Sequence, residues 1–263
     1  MPGKIRVFAG IATAMLLSAQ ASATIVRVQT ALGSFDVNLY DKGTPVTVAN
    51  FLSYVNAGAY TNMFMHRSVS GFVVQGGGYT YVSPGTFGTI TTNAAIANEP
   101  VYSNVRGTIA MAKTSGNVNS ATNQWFINSG NNSANLDVQN GGFTVFGQVI
   151  GDGMTVVDAI NALQIFSIST TFDSIPLRNY TTQNATAGVP VTDQNLVIAS
   201  VTVVDSSADT AASLSPAPNT LIKQSTTTPD SGGGGGGGAA GLGSLVLLGT
   251  LLFCRQRRIF SAA

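Results

Sequence analysis

Charged side chains, histidine and cysteine are all scarce in this chain of 263 residues. Only 9% of the residues are Asp, Glu, Lys or Arg, whereas globular proteins average about a quarter. The single histidine, His66, cannot supply a histidine-rich metal site, and no carboxylate cluster at ligand spacing accompanies it. The single cysteine, Cys254, lies near the C-terminus, so residues 24–205 contain no disulfide bond and no cysteine metal site. We therefore predict that the protein has no metal site.

The few charges are unevenly distributed along the chain, although the net charge is only +1. Basic residues are concentrated at the two ends, whereas acidic residues outnumber basic ones between Thr24 and Asp205. A mildly acidic domain without a basic stripe argues against a nucleic-acid-binding protein.

Common catalytic motifs are also missing. A Ser/His/Asp triad would require His66, but the chain has no G-x-S-x-G nucleophile elbow, which disfavours a hydrolase. The glycines at 76–78 and 151–153 match neither a dinucleotide fingerprint nor a phosphate loop. We interpret them as residues of turns and bulges.

The first 23 residues have the layout of a secretory signal peptide. A basic start is followed by an apolar run and by the small-residue triplet Ala21-Ser22-Ala23, which predicts cleavage before Thr24. A buried N-terminal helix is the alternative interpretation. The signal-peptide interpretation predicts that the mature chain is exported.

The C-terminal part is predicted to be a linker followed by a membrane segment. Residues 206–231 are rich in Ser, Thr, Pro and Ala, a composition that is typical of linkers because it cannot build a core. Residues 232–263 contain seven consecutive glycines, an apolar run and the basic sequence RQRR. The apolar run is short for a bilayer, which needs roughly 20 residues, although about 17 suffice. The arginines after it would hold that end in the cytoplasm.

This tail resembles the bacterial GlyGly-CTERM sorting signal, which combines a glycine-rich motif, a transmembrane stretch and a basic terminus. The resemblance implies cleavage by a rhomboid-type intramembrane protease and transfer of the protein to the cell surface. A permanent C-terminal membrane anchor is the alternative. Either interpretation places residues 24–205 in the periplasm or at the cell surface of a Gram-negative bacterium.

Residues 24–205 show the pattern of one mainly β domain. Strand-like alternation over 25–39 is followed by helical spacing from Thr44 to Gly58, with Thr44 as the expected cap and Pro45 in the first turn. Short strands are predicted at 64–69, 72–77, 107–113, 123–128, 143–150 and 195–204, with a second helix over 153–163 and a long loop over 79–98. Many short strands with a helix near each end predict a closed or nearly closed β-barrel.

Polar side chains stand among apolar ones in several of these strands. Arg67 and Gln75 flank the apolar residues Phe72 and Val73, and Gln124 precedes an aromatic pair. A lone arginine in a strand usually faces solvent. This arginine precedes a turn and is followed eight residues later by a glutamine, a combination that indicates a functional site.

The segments around these residues resemble the cyclophilin family. The stretch FMHRSVSGFVVQGGG is similar to the cyclophilin signature F-H-R-x-x-x-G-F-x-x-Q-G-G, with Met65 at a position where the family usually has Phe. The stretches GTIAMAKTSGNVNSATNQWFIN and FTVFGQVIGDGMTVVDAI resemble two further family segments. The likeness runs in order from Thr24 to Asp205.

The resemblance implies a closed eight-stranded antiparallel β-barrel capped by two α-helices, and peptidyl-prolyl cis-trans isomerase activity on proline-containing polypeptides. It implies that Arg67 is the catalytic group and that Gln75 orients it. The residues implied to bind substrate are Phe72, Val73, Ala112, Gln124, Phe126, Leu136, Phe143 and His66. Of these, His66 is expected to pack and hydrogen-bond rather than act as an acid or base.

Besides Met65, two further residues depart from the family pattern. Asn135 stands where many members have Trp or Phe, and Lys113 stands where many have Asn. Asn135 leaves open a non-catalytic alternative, in which the domain binds proline-containing segments as a chaperone or serves as a surface module. For the enzyme we expect no cofactor, because rotation about a peptide bond makes and breaks no covalent bond. We also expect a monomer.

Overall fold

A computed structural model describes residues 24–206 and 210–222 of the chain. The strands are β1 (Ile25–Thr30), β2 (Gly33–Leu39), β3 (Met63–Phe64), β4 (Arg67–Val69), β5 (Val73–Gly76), β6 (Tyr79–Ser83), β7 (Thr86–Thr89), β8 (Thr108–Met111), β9 (Trp125–Asn128), β10 (Val145–Ile150), β11 (Ile165–Phe166), β12 (Ile175–Pro176) and β13 (Ile198–Asp205). The α-helices are α1 (Pro45–Asn56), α2 (Ser133–Leu136), α3 (Gly153–Asn161) and α4 (Thr182–Thr186).

The predicted signal peptide (1–23) and the predicted glycine-rich membrane tail (232–263) lie outside the described residues. Within the part of the chain that is described, no helix combines the length and the apolar character needed to cross a membrane.

The first hairpin forms where the alternating pattern predicts it. Val26 and Val28 on β1 and Phe35 and Val37 on β2 are buried, while the residues between them are more exposed. Val28 pairs with Phe35, so the apolar side chains of both strands share one face.

Helix α1 confirms the helical spacing, but its N-terminus is capped differently from the expectation. The side chain of Thr44 makes no capping hydrogen bond. The Glu99 carboxylate instead accepts hydrogen bonds from the backbone N–H groups of Val46 (3.3 Å) and Thr47 (2.8 Å). The free N–H groups of a first helical turn and the helix dipole both favour a negative charge at this end. Glu99 therefore ties a distant loop to α1.

The domain is mainly β, as predicted, but hydrogen bonds between the described residues do not close its sheet into an eight-stranded barrel. Hydrogen bonds link eleven strands in the order β4-β5-β9-β8-β10-β2-β1-β13-β3-β6-β7, and within the described ranges no ladder joins the edge strands β4 and β7. The backbone N–H of Met65 donates a hydrogen bond to the Val197 carbonyl, next to β13, whereas the N–H of the following residue, His66, donates to the Gln75 carbonyl on β5. Residues 65 and 66 therefore link the β13 part of the sheet to the β5 part. Sequence patterns identify strands, but they do not show whether the last two strands pair.

The predicted long loop over 79–98 is wrong in its first half. Strands β6 and β7 form a hairpin there, with Tyr79 opposite Thr89 and Tyr81 opposite Phe87. Aromatic rings of this hairpin pack on Phe64 of β3, and the ring centroids of Phe64 and Phe87 are 5.3 Å apart. Packing against distant residues thus stabilises a hairpin whose own sequence, rich in Gly and Thr, reads as a loop.

Alternate residues of the central strands contribute to two different apolar clusters. Val74, Ile109, Met111, Trp125, Ile127 and Phe146 belong to the main core, which α1 and α3 cover. Their neighbours on the opposite face form what we call the pocket cluster, which contains Tyr40, Val73, Ala110, Phe126, Leu136, Phe143 and Val145. Both faces of these strands are therefore buried, and the pocket cluster holds four of the residues that the resemblance assigns to substrate.

Part of the range predicted as a linker is packed against the domain. Residues 210–222, which we call the C-terminal strap, run beside the segment 101–103. Asn219 of the strap is only 4% exposed, and Leu214 packs on the pocket cluster.

Candidate active site

The β4–β5 hairpin places Arg67 and Gln75 side by side. The two residues are directly opposite in the antiparallel register, so their side chains leave the same face of the sheet. The turn between the strands contains Gly71, whose φ of +66° suits glycine. The spacing of eight residues between Arg67 and Gln75 is therefore the spacing of a hairpin pair.

Strand pairing extends this pair into a row that crosses the sheet. Gln75 is opposite Phe126 on β9, Phe126 is opposite Ala110 on β8, and Ala110 is opposite Val145 on β10. Because opposite residues share a face, the row runs from a cation through an amide to an aromatic ring and two small apolar side chains. This gradient suits a ligand with one polar and one apolar part.

A cleft opens over the middle of this row. It is lined by Gln75, Ala112, Lys113, Thr114, Ser120, Thr122, Gln124, Phe126 and Phe143. Phe126 and Phe143 meet edge to face, with ring centroids 5.9 Å apart, and Leu136 is fully buried in the same cluster. The apolar half of the cleft is thus a preformed wall of two aromatic rings.

The structure brings together most of the predicted site residues. Gln75, Ala112, Gln124, Phe126 and Phe143 line the cleft. Val73 and Leu136 are buried in the pocket cluster, and Phe72 packs against it, half-buried.

The polar half of the cleft contains a glutamine pair. Nε2 of Gln75 donates a hydrogen bond of 2.9 Å to Oε1 of Gln124. Gln75 therefore links β5 to the segment that enters β9, and it holds the Gln124 amide at the edge of the cleft.

Arg67 has an unusual environment for a cation. Its Nη1 atom is buried and has no hydrogen-bond partner among the described residues. Burial lowers the pKa of Arg67, and the negative charge of Asp173 acts in the opposite direction; an arginine nevertheless remains charged throughout the physiological range. Buried donors are almost always satisfied in native proteins. The unpaired Nη1 therefore sets Arg67 apart from most buried donors, and Arg67 lies beside the cleft-lining Gln75 rather than in the cleft lining itself.

His66 is buried and is not among the residues that line the cleft. Its side chain is 5% exposed and packs edge to face on Tyr79, with ring centroids 4.9 Å apart. Desolvation, together with the positive charge of Arg67, lowers the pKa of His66 to about 3. The imidazole is therefore neutral near pH 7 and cannot act as a general acid there.

Lys113 is a cleft residue that the sequence-based assignment left out of the site. Its Nζ donates hydrogen bonds to the carbonyls of Asn140 (2.8 Å) and Gly142 (2.7 Å) and lies 4.9 Å from the centre of the Phe143 ring. The ammonium group thus anchors the backbone on both sides of Gly141, next to a cleft wall. Its position directly after Ala112 was the available indication.

Lys113 should give the stability of the protein a specific pH dependence. Burial lowers the pKa of Lys113 to about 8, from 10.5 for an exposed lysine. Between these values the unfolded chain binds more protons than the folded one, so the free energy of unfolding should rise with pH. In Lys113→Met, the increase in the free energy of unfolding between roughly pH 7.5 and 9.5 should be smaller than in the wild type by about 1–2 kcal/mol. Chemical denaturation of both proteins across this range measures it, and equal slopes would contradict the burial of a charged ammonium.

A polar network supports the wall formed by Leu136 and Phe143. The Asp137 carboxylate accepts hydrogen bonds from the backbone N–H (2.7 Å) and Nδ2 (3.0 Å) of Asn104. Asn104 Nδ2 also donates to the Phe143 carbonyl (3.1 Å), and Phe143 N–H donates to the Leu136 carbonyl (2.8 Å). Asn135, where the family pattern has an aromatic residue, is half-buried in α2 and does not line the cleft.

The site offers no ligand set for a metal ion. Within residues 24–206 and 210–222, no group of three or more His, Cys, Asp or Glu side chains is arranged to hold one. The chemistry available in the cleft is therefore hydrogen bonding, a fixed positive charge and apolar contact.

Comparison with known proteins identifies the family of this chain. The family model described as "Cyclophilin type peptidyl-prolyl cis-trans isomerase/CLD" matches residues 25–186. Peptidyl-prolyl cis-trans isomerase A of Dickeya dadantii is 36% identical over 190 residues, which cover 68% of this chain and 96% of that protein. A peptidyl-prolyl cis-trans isomerase of Acinetobacter baylyi is 42% identical over 150 residues, covering 56% of this chain and 77% of that protein.

A solved structure shows the same fold. The crystal structure of a cyclophilin type peptidyl-prolyl cis-trans isomerase from Cryptosporidium parvum superimposes with a TM-score of 0.50 at 19% identity, covering 70% of this chain and 98% of that one. The family match spans most of residues 24–205, and the Dickeya relative is matched over nearly its whole length. The chain therefore belongs to the cyclophilin-type peptidyl-prolyl cis-trans isomerase family, which is a family of enzymes.

Proposed function

We propose that this protein accelerates X-Pro bond rotation in exported polypeptides, with Arg67 as the catalytic residue. The observation that carries the assignment is the strand register that places Arg67 beside Gln75 and Gln75 beside Phe126 on one face of the sheet. A charged donor, an amide and an aromatic wall in one row match the two parts of a prolyl peptide, its backbone and its ring.

The reaction requires stabilisation of a twisted amide. Rotation about an X-Pro bond breaks amide resonance, with a barrier of about 18–20 kcal/mol, so the uncatalysed reaction takes roughly tens to hundreds of seconds. In the twisted state the prolyl nitrogen regains a lone pair that the planar ground states lack. A donor aimed at this nitrogen binds the transition state more strongly than either ground state, which is the condition for catalysis.

The residues divide this work between them. The rigid guanidinium of Arg67 can bond the proline carbonyl and face the prolyl nitrogen at the same time. An apolar set of side chains holds the proline ring, so that the other side of the bond rotates. The set consists of Phe72, Val73, Phe126, Leu136 and Phe143. The peptide backbone is contacted at the cleft edge by Ala112 and by the two glutamines Gln75 and Gln124, which are hydrogen-bonded to each other. His66 supports the site as a neutral ring packed on Tyr79.

A protease-coupled assay with a proline-containing test peptide measures this activity directly. Arg67→Lys is expected to lower kcat/KM by about tenfold or more, because a lysine ammonium is a point charge without the planar fork. The wild-type protein should accelerate isomerisation, and its failure to do so while still binding the peptide would favour the chaperone alternative. An Arg67→Lys variant as active as wild type would contradict the catalytic assignment.

We also propose that the protein is exported and works as a monomer in the periplasm or at the cell surface. The support is in the sequence ends: a signal-peptide layout in residues 1–23, and a glycine-rich, apolar and basic tail in 232–263 that resembles GlyGly-CTERM signals. Cell fractionation of the full chain and of a variant ending at residue 231 tests whether the tail holds the protein at a membrane. Sedimentation of the purified protein tests the monomer.

A further inference from the structure

The C-terminal strap lies outside the region that the family model matches, yet it is bonded to the domain like an additional strand. The match ends at residue 186, whereas the strap spans residues 210–222. Ser103 N–H donates to the Ala217 carbonyl (2.9 Å), and Asn219 N–H donates to the Val101 carbonyl (2.9 Å). Tyr102 and Pro218 form a β-bridge between these bonds. The strap is thus part of the folded unit.

Asn219 is buried in the strap and is hydrogen-bonded through both ends of its side-chain amide. It is 4% exposed, and its Nδ2 donates a hydrogen bond of 2.9 Å to the backbone carbonyl of Asp137. Its Oδ1 accepts from the N–H groups of Leu221 (3.0 Å) and Ile222 (3.1 Å). A buried amide with both of its ends bonded has one fitting orientation.

The carbonyl that Asn219 binds belongs to the segment that builds the cleft wall. Asp137 follows Leu136 directly, and its carboxylate holds Asn104, which in turn holds the Phe143 carbonyl. Space is tight at this point, because a Cβ atom on Gly142 would lie 2.8 Å from the Asp137 carbonyl oxygen and 3.4 Å from Asn219 Nδ2. The Asn219 amide therefore fixes the segment between the two wall residues from beyond the region that the family model matches.

We propose that Asn219 is a positioning residue for the proline pocket, and that the catalytic unit of this chain extends through the strap to Ile222. Asn219 acts on Leu136 and Phe143 through the Asp137 carbonyl. Arg67 lies on β4, at the other end of the row, and no backbone hydrogen bond between the described residues joins it to the strap. Loss of the Asn219 contact should therefore weaken the grip on the proline ring while the electrostatic step is kept. This proposal rests on the isomerase function proposed above.

The test uses steady-state kinetics of the full chain with Asn219→Ala and Asn219→Asp. Aspartate keeps an acceptor for Leu221 and Ile222 but cannot donate to the Asp137 carbonyl. Both variants are expected to raise KM by roughly three- to tenfold, with kcat within about twofold of wild type. The matched control is Thr220→Ala, since Thr220 is the exposed neighbour and should show wild-type kinetics.

A second measurement separates positioning from simple loss of stability. In the folded proteins, well below the melting temperature, the NMR methyl signals of Leu136 should shift in both Asn219 variants and stay in place in Thr220→Ala. The proposal would be overturned if both Asn219 variants kept the wild-type KM and their Leu136 methyl signals did not shift. It would also be overturned if the variants only contained less active protein and the protein that remained active had the wild-type KM and kcat. If the wild-type protein itself lacks isomerase activity, the proposed function fails, and the Leu136 signals still decide whether Asn219 positions the wall.

Discussion

Replacing Arg67 with alanine is expected to lower kcat/KM on a proline-containing peptide by about 100- to 1,000-fold, the usual effect of removing one preorganised donor to a transition state. The loss should appear mainly in kcat, because the charge stabilises the twisted amide more than the planar ones. The fold should survive, since no group among the described residues relies on Arg67 Nη1 as its hydrogen-bond donor. Removing a partly desolvated cation carries little penalty for the folded state.

The control for this experiment is a surface arginine. Arg27 on β1 forms an exposed ion pair with Asp36 (2.7 Å) on the neighbouring strand, away from the cleft. Arg27→Ala should leave kcat/KM at the wild-type level, and circular dichroism should show both variants folded. An Arg67→Ala protein that retains wild-type kcat/KM would show that the cleft works by apolar contact alone.

Replacing Gly77 with alanine is expected to destabilise the fold by about 3 kcal/mol or more, which combines backbone strain with a steric clash. The residue has φ of +81°, and an added Cβ would lie 2.5 Å from the Asn123 carbonyl oxygen and 2.8 Å from the Trp125 ring. Neither neighbour can yield easily, because one is backbone and the other is a fully buried indole. For a domain of this size the melting temperature should fall by about 6–12 °C.

Gly71 provides a control that isolates the steric clash. It also has positive φ (+66°), but an added Cβ would meet nothing within 4 Å. Gly71→Ala should therefore cost only the strain of the left-handed conformation, on the order of 1 kcal/mol. Thermal denaturation of both variants gives the comparison. Equal shifts would mean that backbone strain alone explains the Gly77 position, and that the close approach of β9 is unimportant.

The glycines at 76–78 show which features of the site the sequence predicts and which it does not. Their mismatch to a phosphate loop correctly led to a structural interpretation, and the hairpin spacing of Arg67 and Gln75 could be read from the sequence. Helix α1 was predictable because its apolar spacing is regular. What the sequence did not show is the reason for each glycine: Gly77 and Gly78 lie against the backbone and side chains of residues 123–125, about 46 positions away.

The features that were missed depend on contacts between distant residues. The strap reads as a linker because the sequence around it is rich in Ser, Thr, Pro and Ala, and only the fold reveals that Asn219 meets the Asp137 carbonyl, 82 positions earlier. Glu99 caps α1 across 52 positions, and Lys113 bonds carbonyls 27 and 29 positions later. Composition and periodicity report on neighbours in sequence, so such contacts leave no local pattern.

The row of opposed residues on β4, β5, β9, β8 and β10 determines where the chain can gain or lose residues without disrupting the site. Along each strand, residues on the cleft face alternate with residues that belong to the opposite face. Inserting or deleting a single residue within β5 or β9 would turn Gln75 or Phe126 toward the main core, even if the strands still paired. Length changes are instead expected to be tolerated in connections that supply no residue to the cleft, such as residues 57–62 between α1 and β3.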